Sequence, residues 1–140
     1  MKPLSRQRRA VIAAACLLAG AAGAFAQNWP AKPIRMIVPA QAGAAPDVVA
    51  RLIGDRLSAA LGQGVVVDNR PGAGGIPGMS ALARSANDGY TIGFVPAAMG
   101  TITPLVYKNP QFNPDTDLQS VATVGISPLI LVTQSGNNIK

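Results

Sequence analysis

Three short apolar runs, each followed by small residues and then by a helix-forming stretch, constrain this chain most. The runs are Ile34-Arg35-Met36-Ile37-Val38, Val65-Val66-Val67 and residues 90–95. Apolar side chains at successive rather than alternate positions suit strands covered on both faces, as in a parallel sheet flanked by helices. Pro39 closes the first run, residues 40–45 form a small-residue loop, and Pro46 fits the first turn of a helix. Val49, Leu52, Ile53, Leu57, Ala60 and Leu61 then recur on one helical face, with Asp47, Arg51, Asp55 and Ser58 mostly on the other. Asp47 suits the helix dipole and stands four residues before Arg51, a stabilising order of charges. Gly62 is a plausible stop.

After the second run, residues 68–75 are rich in turn formers. A small-residue helix follows, with Met79, Leu82, Ala83 and Ala86 on one face, and Asp88-Gly89 turns the chain into the third run. Residues 96–100 read as a loop, residues 102–107 as a short helix or turn, and residues 121–124 and 129–132 as later strands. The βαβαβ order predicts an α/β fold with right-handed crossovers. Ligands of such sheets collect at the carboxyl ends of the strands, where residues 40–45, 68–75 and 96–101 fall.

Ahead of the first run, Lys2, Arg6, Arg8 and Arg9 precede an almost wholly apolar or glycine stretch over residues 10–22. Ala24-Phe25-Ala26 places small residues before a cut at Gln27. This is the layout of a secretory signal peptide over residues 1–26. The apolar stretch falls short of the roughly 20 residues of a membrane span. Arg8-Arg9 is compatible with twin-arginine export, although two arginines among four leader cations suit the general secretory route. Lipid attachment at Cys16 would need a cut inside the apolar stretch, so Cys16 reads as a small apolar residue discarded with the leader. The expectation is a periplasmic chain with no stable membrane insertion after cleavage.

Removing residues 1–26 lowers the charge from +6 to about +2, eight Lys/Arg against six Asp. Lys32, Arg35, Arg51, Arg56, Arg70 and Arg84 are scattered singly. A nucleic-acid footprint needs clustered cations, so no nucleic-acid partner is expected. The chain has no His and no Glu, and its one Cys lies in the leader. A disulfide within the mature part, a zinc site of the usual His/Cys type and a Ser–His or Cys–His nucleophile pair are thereby excluded. The six Asp residues form no evident metal cage. Gly78-Met79-Ser80-Ala81-Leu82 lacks the closing glycine of a nucleophile elbow. No catalytic residue, metal or cofactor is expected, and no enzyme.

Two loops invite comparison with anion sites. In Ala40-Gln41-Ala42-Gly43-Ala44-Ala45-Pro46-Asp47, small side chains admit a ligand to the backbone, and the helix that follows offers unpaired N–H groups to a carboxylate or phosphate. A tight strand-to-helix turn without a ligand explains the same residues. Starting at Gly72, a dinucleotide fingerprint fails at Pro77, and no Gly-Lys-Ser/Thr of a phosphate loop follows. The glycines of residues 72–78 are better read as allowing helix and strand to pack. Residues 96–101 offer small side chains, N–H groups and the Thr101 hydroxyl, and Ser127 could add another. Trp29, Tyr90 and Tyr107 read as packing or surface residues.

Taken together, Trp29-Pro30-Ala31-Lys32-Pro33-Ile34-Arg35-Met36-Ile37-Val38-Pro39, then Asp47 and Ala50-Arg51, resemble the Bug family. Val65-Val66-Val67-Asp68-Asn69-Arg70-Pro71-Gly72-Ala73-Gly74-Gly75 and Asp88-Gly89-Tyr90-Thr91 continue the resemblance. These are the extracytoplasmic solute receptors of tripartite tricarboxylate transporters. The resemblance implies a periplasmic-binding-protein-like fold of type II, a two-domain Venus flytrap, here incomplete. It implies a small organic anion, a carboxylate or related metabolite, held largely by backbone groups and ordered water. It places Gly43, Ala44, Ala45 and Asp47 in the first binding loop, Ala98, Gly100 and Thr101 in the loop after the third strand, and Ser127 where the chain crosses between domains. It also implies transient contact with membrane transporter subunits. Ala44 stands where the family usually has a second glycine, so its methyl is expected to narrow the pocket or disfavour positive φ.

The division that follows is a leader over residues 1–26, the first part of an α/β domain over 27–125, and a crossover over 126–140 towards a mostly missing second domain. The alternatives are a non-functional truncated receptor and a small secreted nucleotide-binding domain or enzyme. Mass analysis of the exported chain should find its N-terminus at Gln27. A product that keeps residues 1–26 would contradict the leader.

Overall fold

The computed structural model describes residues 29–128, 130 and 132. The expected leader lies outside them. Strand β1 (Ile34–Val38) is the middle of a three-stranded parallel sheet, with β2 (Val65–Asn69) on one side and β3 (Thr91–Gly93) on the other. Ile34 aligns with Val65 and Val38 with Asn69, while Arg35 aligns with Thr91 and Ile37 with Gly93. Backbone bonds from Arg35 N–H to Tyr90 O (2.8 Å) and from Phe94 N–H to Ile37 O (3.0 Å) extend the β3 pairing beyond its three residues. Ile34, Met36, Ile37 and Val38 are all buried, as their unbroken apolar run predicts.

Helix α1 (Ala45–Leu61) crosses one face of the sheet. Pro46 sits in its first turn, and Gly62 ends it at φ 67° with its N–H on Ser58 O at 3.0 Å. The buried face differs from the expected one. Asp47, Ala50 and Gly54 are buried, with Ile53 and Leu57 half-buried beside Met36, Val38, Val65 and Val67. Leu52 is 61% exposed, and Val48 and Val49 also face outwards. The reason is close approach. A Cβ on Gly54 would lie 3.5 Å from Val65 Cγ1, and Ser58 Oγ accepts the Val65 N–H at 2.9 Å while donating to Gly54 O. Small residues, not the largest apolar ones, lay this helix on β2.

On the other face lies α2 (Ile76–Ala83), entered through a single 3₁₀ turn (Ala73–Gly75). Met79 is buried, and Leu82 meets Gly93, while Ala86 lies past the helix and is exposed. Residues 97–100, expected as loop, form part of a short helix, α3 (Ala97–Thr101), continued by α4 (Thr103–Val106). The last helical turn, α5 (Pro114–Asp117), is capped by Asn113, whose Oδ1 accepts the Asp115 N–H at 3.0 Å. Residues 121–124, expected as a strand, have no regular structure, and Val121 is 93% exposed. Strand propensity is realised only where a neighbouring edge supplies hydrogen bonds, and none meets this run among the described residues. Of the strand expected at 129–132, Leu129 and Leu131 lie outside the described residues, and Ile130 and Val132 are irregular and exposed.

The chain enters the fold at the amino end of the sheet. Ala31 N–H donates to the Tyr90 hydroxyl (2.9 Å), the Lys32 ammonium lies 4.2 Å over the Tyr90 ring and 3.5 Å from Asp88, and Trp29 packs at a tilt on Tyr90. Trp29 and Tyr90 are thus packing residues.

At the opposite end α2 crosses tightly over the chain leaving β1. A methyl on Gly78 would come within 2.5 Å of Pro39 Cβ and 2.8 Å of its Cα. Gly78→Ala should therefore lower the unfolding free energy by about 2 kcal/mol, the usual scale of overpacking, read from urea denaturation. An unchanged midpoint would show that α2 has room to withdraw.

Candidate functional site

Because all three strands are parallel, the segments after β1, β2 and β3 leave the same end of the sheet. The order β2-β1-β3 sets the segments after β1 and β3 side by side at the point where the winding reverses, the position at which open α/β sheets hold ligands. Gly43, Ala44, Ala45 and Asp47 come from the first segment, and Ala98, Gly100 and Thr101 from the other. Ser127 is exposed in an irregular stretch.

The first segment is shaped by one carboxylate. Asp47 is 2% exposed. Its Oδ2 accepts the Gly43 N–H at 2.8 Å and Arg51 Nε at 3.1 Å, and its Oδ1 accepts Asn69 Nδ2 at 2.9 Å. Arg51 Nη2 also lies 3.0 Å from Oδ1, so the expected ion pair four residues apart engages both oxygens. Asn69 also donates to Ala40 O (3.2 Å) and accepts from Arg51 Nη2 (3.1 Å). It joins the end of β2 to both ends of the loop. In the sequence Asn69 stands among turn formers and in the stretch that carries the family resemblance, with no role of its own. Its place at the end of the second strand, beside Asp68 and Arg70, was the signal available.

Gly43 holds φ 82°, a conformation that favours glycine, and a side chain there would meet open space. Ala44 is extended, at φ −71° and ψ 159°, so its methyl imposes no backbone strain. Of the N–H groups the loop could offer an anion, Gly43 gives its own to Asp47, and Ala44, Asp47 and Val48 bond to backbone carbonyls. Pro46 has none. The Ala45 N–H has no partner among the described residues. Among the expected residues of the first loop, the exposed Ala45 is the one whose N–H remains unspent.

The second segment is a helix rather than an open loop. Thr101 Oγ1 donates to Ala97 O at 3.0 Å, which leaves the hydroxyl oxygen as an acceptor. Ala98 is exposed, and a side chain on Gly100 would meet open space. Behind this helix stands the glycine turn after β2. Gly74 and Gly75, at φ 64° and 88°, abut Tyr107 and Met99, and the buried Thr103 hydroxyl donates to Gly74 O at 2.9 Å. Side chains on either glycine would strike those neighbours. The glycines of this turn serve packing, as expected. No group of His, Cys, Asp or Glu among the described residues could hold a metal ion.

A helix-flanked parallel sheet of this order, with backbone-lined segments at its switch point, is part of a fold of the periplasmic-binding-protein class. Two solved structures share it. The periplasmic binding protein BugD is 40% identical, with a TM-score of 0.58 over 64% of this chain and 29% of its own. R. palustris Rpa4515, solved with adipate, is 37% identical, with a TM-score of 0.56 over 63% of this chain and 29% of its own. Residues 49–140 match the family model described as Tripartite tricarboxylate transporter family receptor, and the chain belongs to that family. Its relatives include a UPF0065 protein of Bordetella bronchiseptica, 40% identical over 95% of this chain, and BugT of Bordetella pertussis, 45% identical over 81%. The chain spans 40% of the length of the first and 35% of the second. No helix among the described residues is long and apolar enough to cross a membrane.

Arg51, the Gly43 N–H and Asn69, in that order of effect, hold the Asp47 carboxyl at about 2, below its ordinary 3.8. A folded-state value below the unfolded one means stability that is complete above 3.8 and lost as pH falls through about 2. Asp47→Asn should lower the melting temperature at pH 7 and flatten its decline between pH 5 and 2. An unchanged acid slope would remove Asp47 from the network that shapes this loop.

Proposed function

We propose that this chain forms the first lobe of an exported receptor that captures a small organic anion. The observation that carries the reading is the adjacency of the Gly43–Asp47 and Ala98–Thr101 segments at the switch point of the sheet. Both present small side chains and backbone rather than reactive groups, which suits binding without chemistry. The ligand is a carboxylate. Rpa4515, of like fold, holds adipate, a dicarboxylate. The Ala45 N–H and the amino end of α1 would receive one carboxylate oxygen. Asp47, already neutralised by Arg51, acts by fixing the loop around Gly43. A carboxylate that must stay clear of Asp47 is oriented as well as attracted.

In the same reading residues 1–26 are cleaved as a leader in the periplasm, and residues 27–125 belong to the first domain. Residues 126–140 cross towards the second domain, with Ser127 at the mouth of the cleft. Membrane transporter subunits would receive the solute in transient contact. The family membership and the periplasmic relative BugD support this placement.

The test is a thermal melt with a panel of mono-, di- and tricarboxylates. A carboxylate at 100 times its Kd should add roughly 2.7 kcal/mol and raise the midpoint visibly. Gly43→Val, which disturbs the φ 82° turn, should abolish that rise. Turnover of any panel member, or a midpoint indifferent to all of them, would overturn the reading.

A further inference from the structure

On the sheet face opposite α1, a groove of about 610 Å³ runs between the strands and α2. It shares no residue with the segments after β1 and β3, and takes Arg70 and Ala73 from the segment after β2. Arg35, Arg70 and Arg84, far apart in sequence, all line it. Read singly along the chain they suggest no basic patch, and the fold corrects that reading. Strand alternation turns Arg35 and Asp68 to this face, Arg70 leaves the end of β2, and Arg84 caps the carboxyl end of α2.

One acid answers two of these three bases. Asp68 Oδ2 takes Arg35 Nε at 2.8 Å, Arg35 Nη2, and Arg70 Nε at 3.1 Å. Among the described residues, Arg84 Nη2 meets only the neutral Gln111 Oε1, at 3.2 Å. Each guanidinium carries five N–H donors, so most donors here are unspent among the described residues, including both terminal nitrogens of Arg70. Among the described residues, three of the seven Lys/Arg line this groove, and the one carboxylate bonded to them, Asp68, is shared by two.

We propose that this groove docks an acidic segment of a protein partner. Its form favours that occupant over a free ion. The Arg35 and Arg70 side chains are 43% and 42% exposed, and arginines so hydrated hold a small anion weakly in salt. A polypeptide covers the groove and excludes water as its carboxylates meet the guanidiniums, which strengthens each contact. The floor between the arginines includes Ala73, Ile76, Pro77 and Ala81, apolar surface that a peptide backbone and side-chain stems can bury.

The probe is a fluorescein-labelled hexaglutamate peptide, titrated into the chain and followed by anisotropy. Saturable binding that weakens with added salt is expected. Arg84→Glu, at an exposed position, should weaken it about tenfold, and Arg70→Gln should also weaken it. Arg56→Gln, on exposed α1 outside the groove, should leave it unchanged. Melting midpoints of the variants within a degree or two of the parent would show that folding is not the cause. Loss of binding in Arg56→Gln as large as in Arg84→Glu would overturn the proposal. So would citrate displacing the peptide at equal concentration, binding to phosphatidylglycerol vesicles but not to the peptide, or no binding at all.

Discussion

Everything in this lobe hangs on β1 being bonded on both edges and covered on both faces. Its backbone is shared with β2 and β3, so neither neighbour holds its place without it. Its apolar side chains are the core of each layer, with Met36 and Val38 under α1 and Ile37 towards α2. The one polar side chain in the strand, Arg35, is answered by Asp68 on the next strand rather than left alone. A strand fixed so firmly delivers its carboxyl end, and therefore the loop through Gly43, to a defined place. The precision of the candidate site is inherited from the strand behind it.

From there the loop is held by a small polar knot. Asp47 takes hydrogen bonds from the loop, from its own helix and from the neighbouring strand. A buried carboxylate is costly unless it is paired and hydrogen-bonded, and here it is both. The consequence is a rigid turn whose outward surface is mostly peptide backbone and methyl groups. Such a surface discriminates by shape and by where N–H groups point.

What was legible in the sequence was local. Pro46 and Gly62 bracket α1, and Asp47 and Arg51 pair across one turn, because each depends on residues a few positions away. The parallel sheet was legible because β1 and β2 are apolar on both faces. The buried face of α1 differs from the expected one, since Leu52 and Val49 count heavily in any hydrophobic pattern while the helix approaches β2 through Ala50 and Gly54. Close approach rewards absence of side chain, which a pattern of large residues does not register. The segment through Ala98 was read as a loop because Pro96 and Gly100 obscure one short helical turn. Residues 121–124 have strand-like composition, yet pairing is a property of neighbours and not of the run itself. Asn69 and the convergence of Arg35, Arg70 and Arg84 are likewise products of topology. As for the candidate site, its strand-end location was legible, whereas the spending of the Gly43 N–H on Asp47 was not.

The clasp of Trp29, Ala31 and Lys32 on Tyr90 and Asp88 has a polar consequence for the molecule as a whole. It lies at the amino end of the sheet, whereas the Gly43 and Thr101 segments lie at the carboxyl end. Trp29 is therefore anchored at the end of the sheet opposite those segments. A tether, tag or membrane attachment at that end would hang the sheet with the Gly43 and Thr101 segments pointing away from the support.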